Sequence, residues 1–310
     1  MGKEINETER MFEAIKDGKV ETVKQLIGKG IDVNTRDEND NSSLLHKAVW
    51  SGNAEIVKFL IDNGADVNAE DNQTFLPLHY AVHDGNFEIV KMLLENGGDA
   101  KKAEYSGFTP FEGALLNVGE DDSLAKFMIE NGVDINAESD KGFAEIHHLS
   151  ILDNGADGVK FLLANGADVN AKASVNGATP LHLAVRNSNF DTAELLLANG
   201  ADVNAKDEDG WTPLLFCVKF TPTDDKTKMA KLLIDNGADV NAAEDRMGLT
   251  PLHIFARSTQ GDTEIAKLLI ASGADLQAKS SMGTTPFVDA LVMGNFDIAP
   301  LLDCRKKEAK

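Results

Sequence analysis

One seven-residue stretch, Asn-Gly-Ala-Asp-Val-Asn-Ala at 199–205, recurs along almost the whole chain. The gaps between the eight glycines of this series are 34, 33, 35, 34, 34, 37 and 36 residues. A period of this length is typical of small structural units stacked in an array, because each unit is too small to bury its own apolar face. Full copies of the Gly-Ala-Asp-Val-Asn core stand at 64–68, 166–170 and 237–241, and degenerate copies begin at Gly30, Gly97, Gly132 and Gly273.

Two further motifs run in phase with the first. Thr-Pro-Leu-His-Leu-Ala occupies 179–184, and shorter or altered versions stand at 43–46, 76–79 and 250–253. A motif of the type Ile-Val-Lys-x-Leu-Leu occupies 56–61 and 89–94. Together the three motifs resemble the ankyrin repeat over about residues 7–303. The resemblance implies an all-α fold, a solenoid of about nine helix–turn–helix units with β-hairpin or loop connections.

The unit at 174–204 shows the local structure most clearly. Thr179 is placed to cap the first helix by accepting a hydrogen bond from a free backbone N–H, and Pro180 suits the first helical position, where no N–H is needed. Gly200 ends the second helix because it tolerates positive φ. We expect a single array over 1–310, with an N-terminal capping unit at 1–36, seven repeats at 37–279 and a C-terminal capping unit at 280–310.

Several positions depart from the repeat. Gly stands at most hairpin tips and Asn41 at one, but Thr74 occupies another, and a β-branched residue fits positive φ poorly. The sequence therefore predicts a distorted hairpin at Thr74. The repeat at 139–170 has Ala-Glu-Ile-His at 144–147 and lacks the capping threonine. Pro300 predicts a kink or a restart of the last helix. Long connections between paired helices are predicted at 117–122, 154–157, 220–227 and 258–262.

Composition narrows the functional classes. The chain has 30 basic and 51 acidic residues, a formal charge of −21, which disfavours binding to nucleic acid or anionic membranes. Cys217 and Cys304 provide no disulfide framework and suit a reducing compartment. Residues 1–10 lack the apolar core of a signal peptide, and no run of about 18 apolar residues predicts a membrane span. We expect a cytoplasmic, intracellular protein that acts as a monomer.

The sequence predicts no catalytic set, no cofactor and no metal site, and hence no enzyme. Histidines one repeat apart are roughly 10 Å from each other, too far to share a metal whose ligands lie about 2 Å away. By resemblance to the family, each recurring imidazole is a buried structural group. We expect the acidic run at 120–122 to be a solvated loop and Cys217 to lie in the core, while Cys304 lies in the tail, with a reactive thiol as the alternative. The histidines in or beside the recurring motif are His46, His79, His147, His148, His182 and His253.

Partners of proteins that resemble this family usually contact hairpin tips and the exposed ends of first helices. The resemblance therefore implies a non-catalytic protein–protein interaction module, whose concave groove of hairpins and first helices binds a partner protein or peptide. Carried over position by position, the implied partner-binding residues are Trp50, Phe75, His83, Tyr105, Phe108, Leu116, Phe143, Ile151, Arg186, Trp211, Lys219, Phe220, Arg246 and Arg257.

The character of these positions leaves alternatives open. Trp50 is expected to be exposed and to bind, whereas Phe75, Phe108, Phe143 and Trp211 either face a partner or pack down between units. A basic lining in the later half of the groove would attract an acidic segment of the partner, or is part of a mixed solvated face. Interleaved basic and aromatic residues also fit a second function, a ligand or oligonucleotide sensor, against which the net charge weighs. The basic lining comprises Lys172, Arg186, Lys206, Lys219, Arg246, Arg257 and Lys279.

Overall fold

Short helices joined by turns dominate the structure. A computed structural model describes residues 6–116, 118–258 and 263–303. Within these ranges the chain is helical, apart from turns and two isolated antiparallel bridges, Arg36–Ser43 and Glu138–Ala144, so the predicted all-α fold class is confirmed. The helices are α1 (Glu7–Lys16), α2 (Val20–Gly28), α3 (Leu44–Trp50), α4 (Ala54–Asp62), α5 (Pro77–His83), α6 (Phe87–Glu95), α7 (Pro110–Leu115), α8 (Ser123–Glu130), α9 (Glu145–Ile151), α10 (Ala156–Ala164), α11 (Pro180–Arg186), α12 (Phe190–Ala198), α13 (Pro213–Phe220), α14 (Thr223–Asp235), α15 (Pro251–Ala256), α16 (Thr263–Ala271), α17 (Pro286–Val292) and α18 (Ala299–Leu302).

The chain forms two compact units, residues 1–145 and 146–310, which we call unit 1 and unit 2. Unit 1 holds α1 to α8 and unit 2 holds α10 to α18, while α9 begins at the last residue of unit 1. Helix pairs are stacked within each unit at the period that the sequence predicts. The single array over 1–310, with its two capping units, stays a prediction.

In both units the first helices of successive pairs pack against one another. Their order is α1, α3, α5, α7 in unit 1 and α11, α13, α15, α17 in unit 2. The second helices α2, α4, α6 and α8 pack in the same way. Leu45, Ile56, Leu60 and Leu78 are among the fully buried side chains between these helices. Burial of one such side chain stabilises the fold by roughly 1.5–3 kcal/mol, so the layers between pairs form the core.

The Thr-Pro motif begins a helix in both units. Helices α7, α11, α13, α15 and α17 all start on its proline. Thr109 Oγ1 accepts a hydrogen bond from the backbone N–H of Glu112 at 3.0 Å, as the sequence predicts for a capping residue. At the start of α11, Thr179 has the extended backbone of an N-cap residue, and its Oγ1 lies 2.8 Å from Nδ1 of His182.

The asparagine that closes the Gly-Ala-Asp-Val-Asn motif links one repeat to the next. Asn204 Nδ2 donates to the carbonyl oxygen of Gly237 at 3.0 Å, and Asn204 Oδ1 accepts from the N–H of Asp239 at 2.8 Å. One amide thus satisfies both a donor and an acceptor on the following turn, which fixes the register of neighbouring repeats. The same two bonds are made by Asn34, Asn68, Asn170 and Asn241.

The hairpin tip at Thr74 has the left-handed backbone of the glycine tips. Its φ is 63°, close to the 57° of Asn41. The carboxylate of Asp71 holds this tip, since Oδ1 accepts from the N–H groups of Gln73 at 2.8 Å and Phe75 at 3.0 Å. The predicted distortion is therefore wrong, because these bonds keep the threonine in the left-handed region despite its branched side chain.

One of the predicted long connections is also wrong. The sequence predicts a loop at 220–227, but α13 ends at Phe220 and α14 begins at Thr223, so the additional residues lengthen the helix. Pro222, with φ −55°, fits the position before a helix start. The predicted restart at Pro300 is confirmed, because α18 begins at Ala299. Asn117 and residues 259–262, in two other predicted connections, lie outside the described residues.

The first and last helix pairs differ in polarity. Helix α1 exposes the charged side chains of Glu7 and Lys16. By contrast, Val292 and Phe296, in and after α17, are 72% and 68% exposed. Residues 304–310, which contain Cys304 and the basic tail, lie outside the described residues.

Candidate partner-binding surface

Each of four recurring histidines joins its own helix start to the hairpin of the next repeat. Nε2 of His46 lies 3.0 Å from the carbonyl oxygen of Phe75, and Nε2 of His182 lies 2.9 Å from that of Trp211. These imidazoles are buried, which confirms their predicted structural role. The equivalent pairs are His79 with Phe108 at 3.2 Å and His253 with Thr284 at 3.1 Å.

The imidazole of His182 is neutral and carries its proton on Nε2. Its Nδ1 accepts from the backbone N–H of Thr179 at 3.1 Å, so Nε2 is the donor to the carbonyl oxygen of Trp211. Burial lowers the pKa of His182 to about 4, because a charged ring would lose its hydration. His147 is also buried, with Nε2 3.0 Å from the carbonyl oxygen of Ala171. His182 is therefore a hydrogen-bonding bridge and not an acid or base at neutral pH.

Cys217 and the acidic run at 120–122 both have structural roles. Cys217 is fully buried, as predicted, and burial raises the pKa of its thiol to about 12, so little nucleophilic thiolate exists at neutral pH. In the acidic run, Asp121 accepts from the N–H of Ser123 at 2.9 Å, and Asp122 pairs with Lys126 at 2.7 Å. These carboxylates support the turn into α8.

In unit 1, aromatic side chains from α3, α5 and the hairpin at 71–75 lie together at the surface. The rings of Trp50 and Tyr80 stack, with centroids 6.0 Å apart and planes inclined by 19°. Phe75 lies 5.8 Å from Tyr80 and contacts the edge of His79 at 5.1 Å. Trp50 is nevertheless 64% exposed. An exposed indole that a second ring holds in place is a pre-oriented contact for a partner.

The phenol of Tyr80 is fixed from the side of the hairpin. Its Oη donates to Oδ2 of Asp71 at 2.6 Å. Burial first, and then this hydrogen bond, raise the pKa of Tyr80, so the phenol stays protonated and remains a donor. Because the other oxygen of Asp71 holds the hairpin tip, a single carboxylate ties the aromatic cluster to the hairpin.

Three adjoining cavities follow this face of unit 1, and we call them the unit 1 furrow. Their volumes are about 560, 650 and 270 Å³. The first and second share Phe12, Glu13 and Asp37, and the second and third share Trp50, so the three adjoin one another. Further lining residues are Asn6, Thr8, Glu9, Arg36, Glu38 and Asn39 in the first cavity, Lys16, Lys47 and Ser51 in the second, and Phe75, His79, Tyr80, His83, Asp84 and Phe108 in the third.

Unit 2 has an aromatic cluster of its own. The ring centroids of Trp211 and Phe220 are 5.8 Å apart, and Phe216 lies 5.3 Å from Phe220. The guanidinium of Arg186 lies 5.4 Å from the centroid of Phe220, within the range of a cation–π interaction. Arg186 and Phe220 are exposed at the ends of α11 and α13, and Trp211 is half-buried before α13. Cationic and aromatic groups therefore share this surface.

The repeats match models of one protein family over most of the chain. Residues 2–71, 146–244 and 223–309 match a model described as ankyrin repeats (3 copies), and residues 60–114 match one described as ankyrin repeats (many copies). The chain belongs to the ankyrin-repeat family. Ankyrin repeats generally act as protein–protein interaction modules and are typically non-catalytic. No curated protein matches the chain. None of the described helices combines the length and hydropathy that crossing a bilayer requires.

The partner-binding residues that the ankyrin-repeat resemblance implies fall into two classes of exposure. The aromatic residues before the helix starts are half-buried, so each ring both packs in the array and offers some surface. Among the helix-end residues, Trp50 and Arg186 are well exposed. The exposed set is Trp50, His83, Tyr105, Ile151, Arg186, Lys219, Phe220 and Arg246, and the half-buried set is Phe75, Phe108, Leu116, Phe143 and Trp211.

Part of the basic lining of this ankyrin-repeat protein is engaged within unit 2. Arg257 Nε donates to Oδ2 of Asp289 at 2.7 Å, and the two side chains are 19% and 5% exposed. Breaking a buried ion pair is costly, so Arg257 joins α15 to α17 and we no longer assign it to partner binding. Lys172 Nζ donates to the carbonyl oxygen of Lys206 at 2.9 Å, and Lys206 Nζ donates to Asp245 at 3.0 Å.

Sequence reasoning misses some residues that form these ankyrin-repeat surfaces. Phe12, in α1, is half-buried and lines two cavities of the furrow, but it is not among the partner-binding residues that the resemblance implies. Tyr80 directly follows a recurring histidine, where two other repeats have Leu183 and Ile254. A polar aromatic at that position is a signal that could have identified it. The pairing of Arg257 with Asp289 leaves no comparable signal in the sequence.

Proposed function

We propose that this ankyrin-repeat protein is a non-catalytic binding module that holds a segment of a partner protein on the face formed by its hairpins and first helices. The observation that carries the proposal is the exposed indole of Trp50, stacked on Tyr80 beside the unit 1 furrow. A ring that is already ordered loses little conformational freedom on binding, and buried tryptophans dominate the energetics of many interfaces.

In unit 2 the proposed contact surface consists of Arg186, Phe220 and the half-buried Trp211, with Lys219 next to Phe220 in the chain and Arg246 at the hairpin of the following repeat. The exposed cations favour an acidic segment of the partner at this place. Lys172 and Lys206 already donate to neighbouring hairpins, so they contribute less to this attraction than the sequence predicts. The preference of this unit 2 surface for an acidic segment therefore rests on Arg186, Lys219 and Arg246, which are exposed.

Affinity capture with matched variants tests the proposed function. The wild-type chain, Trp50→Ala and Phe296→Ala are used as baits in parallel, since Trp50 and Phe296 are 64% and 68% exposed and only Trp50 lines the furrow. We expect Trp50→Ala to weaken capture of a stoichiometric partner by about 1–3 kcal/mol, and Phe296→Ala to retain it. Equal capture by all three baits would show that this face does not hold the partner.

A further inference from the structure

The unit 1 furrow has an acidic end and an aromatic end. On this basis, and resting on the proposed function, we infer that the furrow binds a partner segment that combines lysine or arginine residues with one large apolar side chain. The basic residues lie against the carboxylates beside α1, and the apolar side chain enters the cavity between Trp50 and Phe108. This assigns to unit 1 a partner chemistry opposite in charge to the one proposed for unit 2.

The acidic end is built from carboxylates that outnumber the cations around them. The first cavity is lined by Glu9, Glu13, Asp37 and Glu38, with Arg36 as its basic residue. Arg36 Nη1 is already bound to backbone carbonyl oxygens, those of Asn41 at 3.0 Å and Glu70 at 2.5 Å. Since Glu13 and Glu38 are exposed, they are available to attract a cationic segment.

Two lysines, Lys16 and Lys47, line the middle of the furrow, and Lys47 is engaged. Lys47 Nζ lies 2.7 Å from Asp40 and 3.4 Å from Asp37, and 5.7 Å from the ring centroid of Trp50. Its charge is therefore largely balanced by two carboxylates of the same hairpin. The carboxylates of the first cavity, together with Asp40, still outnumber Lys16, Lys47 and Arg36. The net charge at this end is therefore negative, which opposes a phosphate backbone or an acidic peptide.

The aromatic end has the size and lining of a side-chain site. Its cavity of about 270 Å³ is lined by Trp50, Phe75, Tyr80 and Phe108, with Asp84 and His83 at its edge. Sites for small-molecule ligands are commonly larger, about 300–1,000 Å³. A leucine, methionine or aromatic side chain would bury its surface against these rings, and Asp84 adds a further carboxylate to the rim.

The stacking of first helices sets the spacing of the two anchors. Neighbouring helices lie about 8–10 Å apart, and the path from α1–α3 to α5–α7 covers two such steps, roughly 20 Å. An extended peptide advances about 3.3 Å per residue. The basic residue and the apolar anchor of the partner are therefore separated by about six residues.

Selection from a displayed library of random twelve-residue peptides, followed by titration of one enriched peptide, tests this inference. Immobilised full-length wild-type protein should enrich peptides with lysine or arginine about six residues from a large apolar residue. An enriched peptide should bind at least tenfold more weakly to Glu13→Lys/Glu38→Lys and to Trp50→Ala, and more weakly at high salt. The control Glu88→Lys/Glu194→Lys, which changes the net charge equally at exposed positions on second helices, should stay within twofold.

The outcomes separate this inference from the proposed function. Enrichment of acidic or uncharged peptides that still lose affinity in Trp50→Ala would overturn the inference and leave the proposed function standing. Equal loss in the two charge-reversed variants would mean that overall charge, and not the furrow, attracts the peptide. No enrichment at all would also contradict the inference. Full partner capture by the Trp50→Ala bait would instead reject the proposed function.

Discussion

The indole of Trp50 stacks on the phenol ring of Tyr80 from the next repeat, with ring centroids 6.0 Å apart. The indole is nevertheless 64% exposed, and Nζ of Lys47 lies 5.7 Å from its ring centroid. The phenol is in turn fixed by Asp71, which also holds the hairpin tip at Thr74. The hairpin geometry and the proposed partner contact in unit 1 therefore depend on the same few side chains.

Replacement of Tyr80 by phenylalanine tests this link. Tyr80→Phe keeps the stacked ring but removes the donor to the buried carboxylate of Asp71. We expect the free energy of unfolding to fall by about 1–2 kcal/mol, since a charged acceptor loses a partner. Urea denaturation measures the change. Tyr105→Phe, at a position that is 85% exposed, is the matched control and should change stability by less than about 0.5 kcal/mol.

The threonine at a left-handed tip should be replaceable with a gain in stability. A left-handed backbone costs a non-glycine residue about 1–2 kcal/mol, while glycine adds roughly 0.5–1 kcal/mol of backbone entropy cost. We expect Thr74→Gly to raise the free energy of unfolding by roughly 0.5–1 kcal/mol. Asn41→Gly, at φ 57°, should gain less because asparagine tolerates this conformation. Thermal or urea unfolding measures the change in stability of the two variants. A loss of stability in Thr74→Gly would contradict the account of this tip.

The asparagine bridges between repeats should stabilise more than local asparagine contacts. Asn204→Ala removes the bonds to Gly237 and Asp239, whereas Asn199→Ala removes one contact to Leu195 within its own helix end. We expect Asn204→Ala to cost about 1–2 kcal/mol more than Asn199→Ala. Urea unfolding provides the comparison, and equal costs would argue against a register role for this motif.

Acidification should destabilise the fold through its buried histidines. The pKa of His182 is about 4 in the folded chain against about 6.5 when unfolded, so between these values the unfolded chain binds more protons. The contribution is complete above pH 6.5 and is lost as the pH falls towards 4. By pH 5 the free energy of unfolding has fallen by about 2 kcal/mol through His182 alone. Burial lowers the pKa of His46 and His79 as well, which adds to the same trend.

Stability measured at several pH values between 7 and 5 checks this prediction. His182→Gln should show a shallower decrease in the free energy of unfolding than wild type. His83→Gln, at an exposed position, is the control and should keep the wild-type slope. An unchanged slope in His182→Gln would mean that another group carries the pH dependence.

Local signals in the sequence account for much of the fold. Helix starts at Pro180 and Pro213 and the turn at Gly200 follow from backbone preferences of single residues, and the structure places them where the motifs predict. The predicted burial of Cys217 in α13 is likewise confirmed. These features are determined by residues that are close in the sequence, so the sequence alone predicts them.

Features that depend on a distant partner were not predictable. The distortion predicted at Thr74 does not occur because Asp71 holds the tip. Arg257, which the sequence places in the basic lining, instead pairs with Asp289, 32 residues away. The cavity beside Trp50 likewise requires rings from three successive repeats. Propensity at one position cannot reveal which side chains of a neighbouring repeat will reach it.

Site-specific photo-crosslinking tests the central claim most directly. A benzophenone amino acid is introduced by Tyr105→p-benzoylphenylalanine at a hairpin tip and, separately, by Phe87→p-benzoylphenylalanine on the second helix α6, and each protein is irradiated with the captured partner. The account predicts a crosslinked product from position 105 and none from position 87. A crosslink from position 87 alone, or equal yields from both, would show that the partner does not occupy the face formed by hairpins and first helices.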